Sequence, residues 1–393
     1  MKTLFVTPGT SIAPSAGTWA DPIRVRNARE FDDVLRRPGP HRFVLLPGTY
    51  ETRGAWAFPE RDFCSLGADS QLIGLAGSEA TTIRLARDFE SQVATPAGPV
   101  PAQTVEVFIA GSRGGQSSHL RIEGITLDCA CPLPVVGLHA FTSRASLRDV
   151  RVVRLWGDWD KRLESFGILV NNCKAGTTNG GHVIEDCRVE QIRPGTYITG
   201  IYCGVVDTGV PIETSHIVRC RVRSEIPPGT VKRSHAGFAS NLNTRLAGCQ
   251  AHGFARWFFC DTGDVADLVI DGCGGSFSYC AVDLPGVSTP QNRIRKRSNV
   301  RIVNSTFDCL QPSSNHAILL LAQDGSPAAD QFDIEDLSVS RCTVRSVPTD
   351  FYAVSIKSAR ARRIEVSHST LPDNSKTVAG VFPPTDPAAV LFA

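Results

Sequence analysis

Apolar and polar positions along this chain recur as a short phrase. An apolar residue is followed by two mostly polar or small ones, a small residue that is usually Cys, one more residue, and usually an apolar one. The phrase reads IEDCRV at Ile184–Val189, IVRCRV at Ile217–Val222, LAGCQA at Leu246–Ala251, IDGCGG at Ile270–Gly275, IVNSTF at Ile302–Phe307 and VSRCTV at Val339–Val344. Weaker copies stand at Ile122–Leu127, Leu147–Val152 and Val366–Leu371. The fourth positions are Ile125, Val150, Cys187, Cys220, Cys249, Cys273, Ser305, Cys342 and Ser369, separated by 25, 37, 33, 29, 24, 32, 37 and 27 residues. A strand signature returning at irregular intervals of this size predicts a solenoid whose coils carry loops of unequal length.

A second ladder follows the first. After each phrase and a variable loop comes another strand: GLHAF at Gly137, GILVNN at Gly167, GIYCG at Gly200, GFASN at Gly237, FFCD at Phe258, CAVD at Cys280, AILLL at Ala317 and AVSIK at Ala353. Their period-two alternation sends one face inward and the other outward. Two parallel strands per coil, with no long helical pattern between them, predict a parallel β-helix whose coils stack at about 4.8 Å. Residues 27–37 carry a capping Asn and apolar Phe31, Val34 and Leu35 at helical spacing, which predicts a short N-terminal capping helix. The coils should run from about 43 to 371, with 373–393 as a Pro-rich C-terminal cap, and the whole chain 1–393 reads as one domain.

A capping helix, then a strand running into Leu-Pro-Gly-Thr-Tyr (Leu46–Tyr50), then coils rich in Gly-Ile strands resembles the right-handed β-helix superfamily of pectate lyases and related enzymes. Gln71–Leu85 is similar to the early coils of that superfamily, and the resemblance covers roughly residues 27–380. It implies an all-β, single-stranded right-handed parallel β-helix, with a carbohydrate ligand in a groove walled by loops between coils. The superfamily holds lyases, hydrolases, epimerases, phage tailspikes and proteins with no known activity. The R-x-P-x-x-R motif of pectate lyases is absent, as is the N-T-D, D-D and G-H-G set of polygalacturonases.

Charge is balanced, with 41 basic and 39 acidic residues, so bulk electrostatics imply no nucleic-acid partner. Five of the 13 Cys fall at the repeated fourth position, where they read as reduced, stacked small side chains and not as a disulfide framework. No segment is long and apolar enough for a membrane span or a signal h-region, so the chain as given reads as cytoplasmic, or secreted if it is a processed form. The expected assembly is a monomer or homotrimer.

Candidate chemistry comes from the outward positions of the second ladder. Taking the residue after each inward apolar one as outward gives the line His139, Leu169, Tyr202, Ala239, Phe259, Ala281, Leu319 and Ser355. The next outward line is Phe141, Asn171, Gly204, Asn241, Asp261, Asp283, Leu321 and Lys357. This places Asn241, Asp261 and Asp283 on consecutive coils. Two carboxylates on neighbouring coils cannot both ionise cheaply, so one keeps a proton or a cation sits between them. Asp261 and Asp283 therefore read as an acid pair for glycoside hydrolysis, or as Ca²⁺ ligands beside a uronate in a lyase. His235 or Arg233 would transfer the proton, and Tyr202, Asn241, Lys161, Glu164 and Phe259 would hold the sugar. Turn contexts offer another reading, since Asp261 opens Asp-Thr-Gly-Asp and Asp283 opens Asp-Leu-Pro-Gly. The expectation is a carbohydrate-active enzyme acting by β-elimination or hydrolysis. The alternatives are a non-catalytic glycan-binding or spike-like β-helix and an intracellular isomerase or cyclase on a small molecule.

Overall fold

The structure is a computed structural model. It describes residues 1–10, 14–56, 61–62, 65–87, 92–95, 98–101, 104–111, 119–131, 133–155, 165–171, 179–193, 198–204, 212–227, 235–260, 265–284, 295–310, 317–321, 332–345, 352–356, 360–370 and 390–392. The chain forms two compact units, Met1–Pro211 and Ile212–Ala393, and each is a parallel β-helix.

In the first unit, strands Gln71–Gly74, Leu120–Asp128 and Ala145–Val153 stack in parallel, with Arg121 opposite Gln71 on one side and Ser146 on the other. Strands Val105–Gly111, Val135–Phe141, Ser165–Asn171 and Ile198–Gly204 form another parallel stack. The side chains of Ile122, Leu127, Leu138, Val152, Ile168, Val189 and Ile201 fill the coil interior and are fully buried. Gly167 points inward as well, because a Cβ there would stand 2.5 Å from a Val189 methyl. That close approach of facing strands explains the glycine that opens the Gly-Ile strands.

In the second unit, Ala236–Ser240, Gln250–Cys260, Gly274–Leu284, Ala317–Leu321 and Tyr352–Ile356 form one parallel stack. Thr244–Ala247, Leu268–Asp271, Arg295–Val303 and Phe332–Ser340 begin another. Trp257 is buried between Phe238 and Phe307, at 5.0 and 5.5 Å between ring centroids. Its indole N–H donates to the Gly274 carbonyl at 2.7 Å, so the one polar atom of the ring is satisfied.

The repeated phrase is bent and not straight. Its third residue has positive φ: 50° at Asp149, 55° at Asp186, 62° at Gly248, 52° at Asn304 and 52° at Arg341. Residues before the bend join one stack and residues after it join another, as Arg148 opposite Glu185 and Arg151 opposite Arg188 show. A coil therefore has three strands where the sequence predicted two. Glycine holds this position at Gly124, Gly248 and Gly272, but Asp, Asn and Arg hold it in other copies, so no constant glycine announced the bend.

The small fourth residue repairs the hydrogen bonding that the bend disturbs. The Cys273 thiol donates to the Asp271 carbonyl at 3.3 Å and accepts the Cys249 N–H at 3.4 Å. Ser305 repeats the pattern, donating to the Val303 carbonyl at 2.8 Å and accepting the Cys273 N–H at 3.2 Å. A thiol or hydroxyl is the group small enough to fit inside the coil and polar enough to serve both partners. The eleven described cysteines are buried, among them the five at the repeated fourth position.

The predicted helix is present as Ala28–Leu35. The Asn27 side chain accepts the Glu30 N–H at 3.0 Å, and the Glu30 carboxylate accepts the Arg26 N–H at 2.9 Å. Phe31, Val34 and Leu35 are buried, with Phe31 against Tyr50 at 5.1 Å. Before the helix, strand Lys2–Pro8 pairs in parallel with His41–Leu45. Among the described residues no helix is long and apolar enough to cross a membrane.

Candidate functional site

Strand Val105–Gly111 is buried at every position, yet its second residue is Glu106. A carboxylate in such a strand needs a strong polar partner. It has one in His139, two residues from the end of Val135–Phe141 on the next coil. The Glu106 Oε1 to His139 Nδ1 distance is 2.5 Å, with Glu106 buried and His139 8% exposed. A carboxylate on Nδ1 holds the ring proton there and leaves Nε2 as the acceptor. Asn171 Nδ2, on the coil after, lies 3.2 Å from that Nε2. Three side chains from successive strands thus form a Glu106–His139–Asn171 line.

Aromatic faces border this line. The His139 ring lies 3.8 Å from the Phe141 ring, tilted by 31°. Tyr202 and Phe166 meet at 5.7 Å, and both are half-buried. Register runs His139 to Leu169 to Tyr202, and Phe141 to Asn171 to Gly204, as the outward lines read from sequence expected. A Cβ on Gly204 would fall 2.3 Å from the Tyr202 ring and 2.4 Å from Asn171 Oδ1, so the glycine leaves these two side chains room. The face therefore combines an oriented imidazole with aromatic and amide groups. That is the equipment for moving a proton on a polar, ring-shaped ligand.

The second unit holds a different polar centre. Asp283, fully buried in Gly274–Leu284, forms an ion pair with Arg256 of Gln250–Cys260 at 2.5 Å. The Arg256 guanidinium lies 4.4 Å from the Phe259 ring centroid and 6.0 Å from that of Tyr279. The neighbour of Asp283 on the preceding coil is Phe259, not Asp261. Alignment of the two Asp-ended strands FFCD and CAVD slips by two residues. Gln250 pairs with Gly274 and Arg256 with Cys280 at one constant offset, and matching the strands by their terminal Asp departs from that offset. Its neighbour on the following coil is Leu320, where the sequence placed Leu321.

The other expected site residues divide as follows. His235 is fully buried at the entry to Ala236–Ser240, and its carbonyl accepts the Arg256 N–H at 3.0 Å. Asn241 is buried just after that strand, and Phe259 is half-buried beneath Arg256. Tyr202 belongs to the first unit. Asp261, Arg233, Lys161 and Glu164 lie outside the described residues. Among the described residues no group of three or more His, Cys, Asp or Glu side chains is placed to hold a metal ion. Of the two expected Ca²⁺ ligands, the one described, Asp283, is occupied by Arg256.

Sequence reasoning assigned no role to Glu106 or Arg256. The available signal was a lone charge in an otherwise apolar strand, V-E-V-F-I-A-G and F-A-R-W-F-F-C. The Cys203 and Cys131 thiols offer no nucleophile at neutral pH: burial pushes Cys203 up to about 12 and Cys131 up to about 11.

Compared with known proteins, the chain matches no protein-family model and no curated protein. Solved structures give remote likenesses. A rhamnogalacturonan lyase is 11% identical with a TM-score of 0.44, over 100% of this chain and 87% of that one. The catalytic domain of a GH87 α-1,3-glucanase, solved with tetrasaccharides, is 10% identical with a TM-score of 0.42, over 90% of this chain and 63% of that one. The A-module of the Azotobacter vinelandii mannuronan C-5 epimerase AlgE6 is 14% identical with a TM-score of 0.37, over 93% and 94%. At these identities and scores the likeness assigns this chain neither a reaction nor a substrate.

Proposed function

We propose that this chain is a carbohydrate-active enzyme of the pectate-lyase-like class, which cleaves a polysaccharide by β-elimination or hydrolysis on the outer face of its first unit. The observation that carries the reading is the buried Glu106 carboxylate 2.5 Å from His139 Nδ1, on the strand face that also carries Phe141, Asn171 and Tyr202. Such an arrangement supplies a general base, a fixed tautomer and flat ring faces together.

His139 is the proton-transfer residue in this reading, and Glu106 positions it. For elimination on a uronate, Nε2 takes the proton from C5, the electron pair forms the C4–C5 double bond, and the C4–O bond breaks. The leaving oxygen is protonated by water. For hydrolysis, Nε2 takes a proton from the water that attacks the anomeric carbon, the C–O bond to the leaving sugar breaks, and a second water protonates the leaving oxygen. Either route needs the substrate to displace the Asn171 amide from Nε2. Tyr202 keeps the ring-holding role expected of it. Asp283, a candidate acid from the sequence, is assigned to fixing Arg256 in the second unit.

The test compares wild type with His139→Asn and Glu106→Gln on a glycan that the wild type turns over. The kcat of His139→Asn should fall at least 10²-fold, within the range of about 10²–10⁴ that general acid–base catalysis contributes. Glu106→Gln should lower kcat about tenfold or more with KM little changed, since it orients the base without touching substrate. Wild-type kcat in His139→Asn, with the fold intact by circular dichroism, would defeat the assignment.

A further inference from the structure

The outward face that carries Glu106 and His139 is open at one end and closed at the other. Strands Val105–Gly111 and Val135–Phe141 are buried at every position. On the next two coils four outward side chains are half-buried: Phe166 and Asn171, then Thr199 and Tyr202. Along one register line, exposure runs from the fully buried Ile109 through His139 and Leu169, both under 9%, to the half-buried Tyr202. Equivalent coils would expose equivalent positions alike, so this gradient is particular to the face.

The closed end has a structural cause. Ala55–Trp56 runs antiparallel against Val105–Gly111, with Ala55 opposite Glu106. Ala55, Ile109 and Phe141 form one buried apolar cluster. Gly54, with φ of 67°, comes so near that a Cβ there would stand 2.7 Å from the Glu106 carbonyl. An antiparallel segment against a stack of parallel coils breaks their repeat here and walls off the face.

We infer that this site acts on the end of a glycan chain. The sugar that reacts at His139 is the terminal one, set against the wall, and the rest of the chain leaves over Phe166, Asn171 and Tyr202. Cleavage inside a chain needs open surface on both sides of the reacting sugar, and this face offers it on one. Two coil steps of about 4.8 Å put Tyr202 roughly 10 Å from His139, so Tyr202 meets a sugar beyond the terminal one. The bond broken is the one that joins the terminal sugar to the chain. In elimination the terminal uronate loses its C5 proton to Nε2, and the C4–O bond to the chain breaks. In hydrolysis the activated water attacks the anomeric carbon of the terminal sugar. In both, water protonates the leaving oxygen. The inference rests on the function proposed above and adds the place on the chain where it acts.

The test follows the first products released from hexagalacturonate, cellohexaose and maltohexaose by the full chain, separated by chromatography. Wild type, His139→Asn and Tyr202→Ala are compared, each with its fold checked by circular dichroism. Any hexasaccharide cleaved should give monosaccharide and pentasaccharide first, and His139→Asn should slow that release by about 10²-fold or more. Tyr202→Ala should raise KM for the hexasaccharide about three- to tenfold with kcat little changed, the loss of one ring contact. It should leave KM for the matching disaccharide unmoved, because a disaccharide stops short of it. Tri- and tetrasaccharides among the first products, lost in His139→Asn, would overturn end action and leave the proposed function standing. An unmoved hexasaccharide KM in Tyr202→Ala would overturn the exit path. Monosaccharide release that persists in His139→Asn, or silence from all three probes, would overturn the function and this inference together.

Discussion

A charged side chain in the buried interior is costly, and this protein meets the cost with polar partners. Glu106 has His139, Asp283 has Arg256, and Asp32 has Arg53 at 2.9 Å with the Thr52 hydroxyl at 2.7 Å. Burial raises the Asp32 carboxyl above its ordinary value although Arg53 and Thr52 pull it down, so desolvation outweighs pairing there. The Asp283–Arg256 pair gives a sharp stability prediction. Asp283→Ala should destabilise by about 3–5 kcal/mol, because it leaves a nearly enclosed guanidinium uncompensated. Adding Arg256→Leu should restore most of that loss. Urea unfolding of the single and double variants checks it, and a double variant no better than the single would refute the desolvation argument. Neither Glu106 nor Arg256 was given a role from the sequence, because alternation describes which way a residue faces and not which partner waits across the coil.

At the scale of the element, the unit that repeats is a bent phrase with a left-handed third residue and a small hydrogen-bonding fourth. Arg341 has φ of 52°. Arg341→Val should cost about 1–2 kcal/mol, the price of the left-handed conformation for a β-branched side chain. Arg341→Gly should be near neutral, since relief of strain offsets the greater freedom of the unfolded chain. At the next position Cys273→Ser should be tolerated, because Ser305 holds the equivalent place one coil on. Cys273→Leu should overpack the coil by about 1–3 kcal/mol. Thermal or urea melts order these four variants, and a Val variant as stable as Gly would contradict the bend account. The outward lines show how far such patterns carry. In the first unit they match the register through His139, Leu169 and Tyr202. In the second unit they still match Ala239 to Phe259, then slip by two residues at the next coil. The pairing keeps the same offset at Gln250–Gly274 and at Arg256–Cys280, so matching the two strands by their terminal Asp brought Asp261 beside Asp283 on paper, while the constant offset brings Phe259 beside it in the fold.

For the whole molecule, the buried thiols of Cys203 and Cys342 link stability to pH. Burial pushes Cys203 up to about 12 and Cys342 up to about 11, against 9.0 for an ordinary thiol. Between pH 9 and 11 the unfolded chain loses thiol protons that the folded chain keeps. The folded state then binds more protons, so stability falls as pH rises through this window and is flat below it. The unfolding midpoint should drop progressively above pH 9, and the eleven described cysteines should not react with a thiol reagent until the protein unfolds. Rapid native labelling of those thiols would contradict their burial. The coil architecture was legible in the sequence because stacking repeats it many times. The Glu106–His139 pair was not, because it appears once, between residues 33 apart in the chain. The claim that this face performs carbohydrate chemistry is tested most directly by a two-channel turnover assay over acidic and neutral glycans, with Ca²⁺ and with chelator. One channel follows the ultraviolet absorbance of unsaturated uronate, and the other follows new reducing ends. The account predicts turnover of at least one glycan, with both signals rising for elimination or reducing ends alone for hydrolysis, and with that turnover lost in His139→Asn. Silence in both channels across the panel would contradict it.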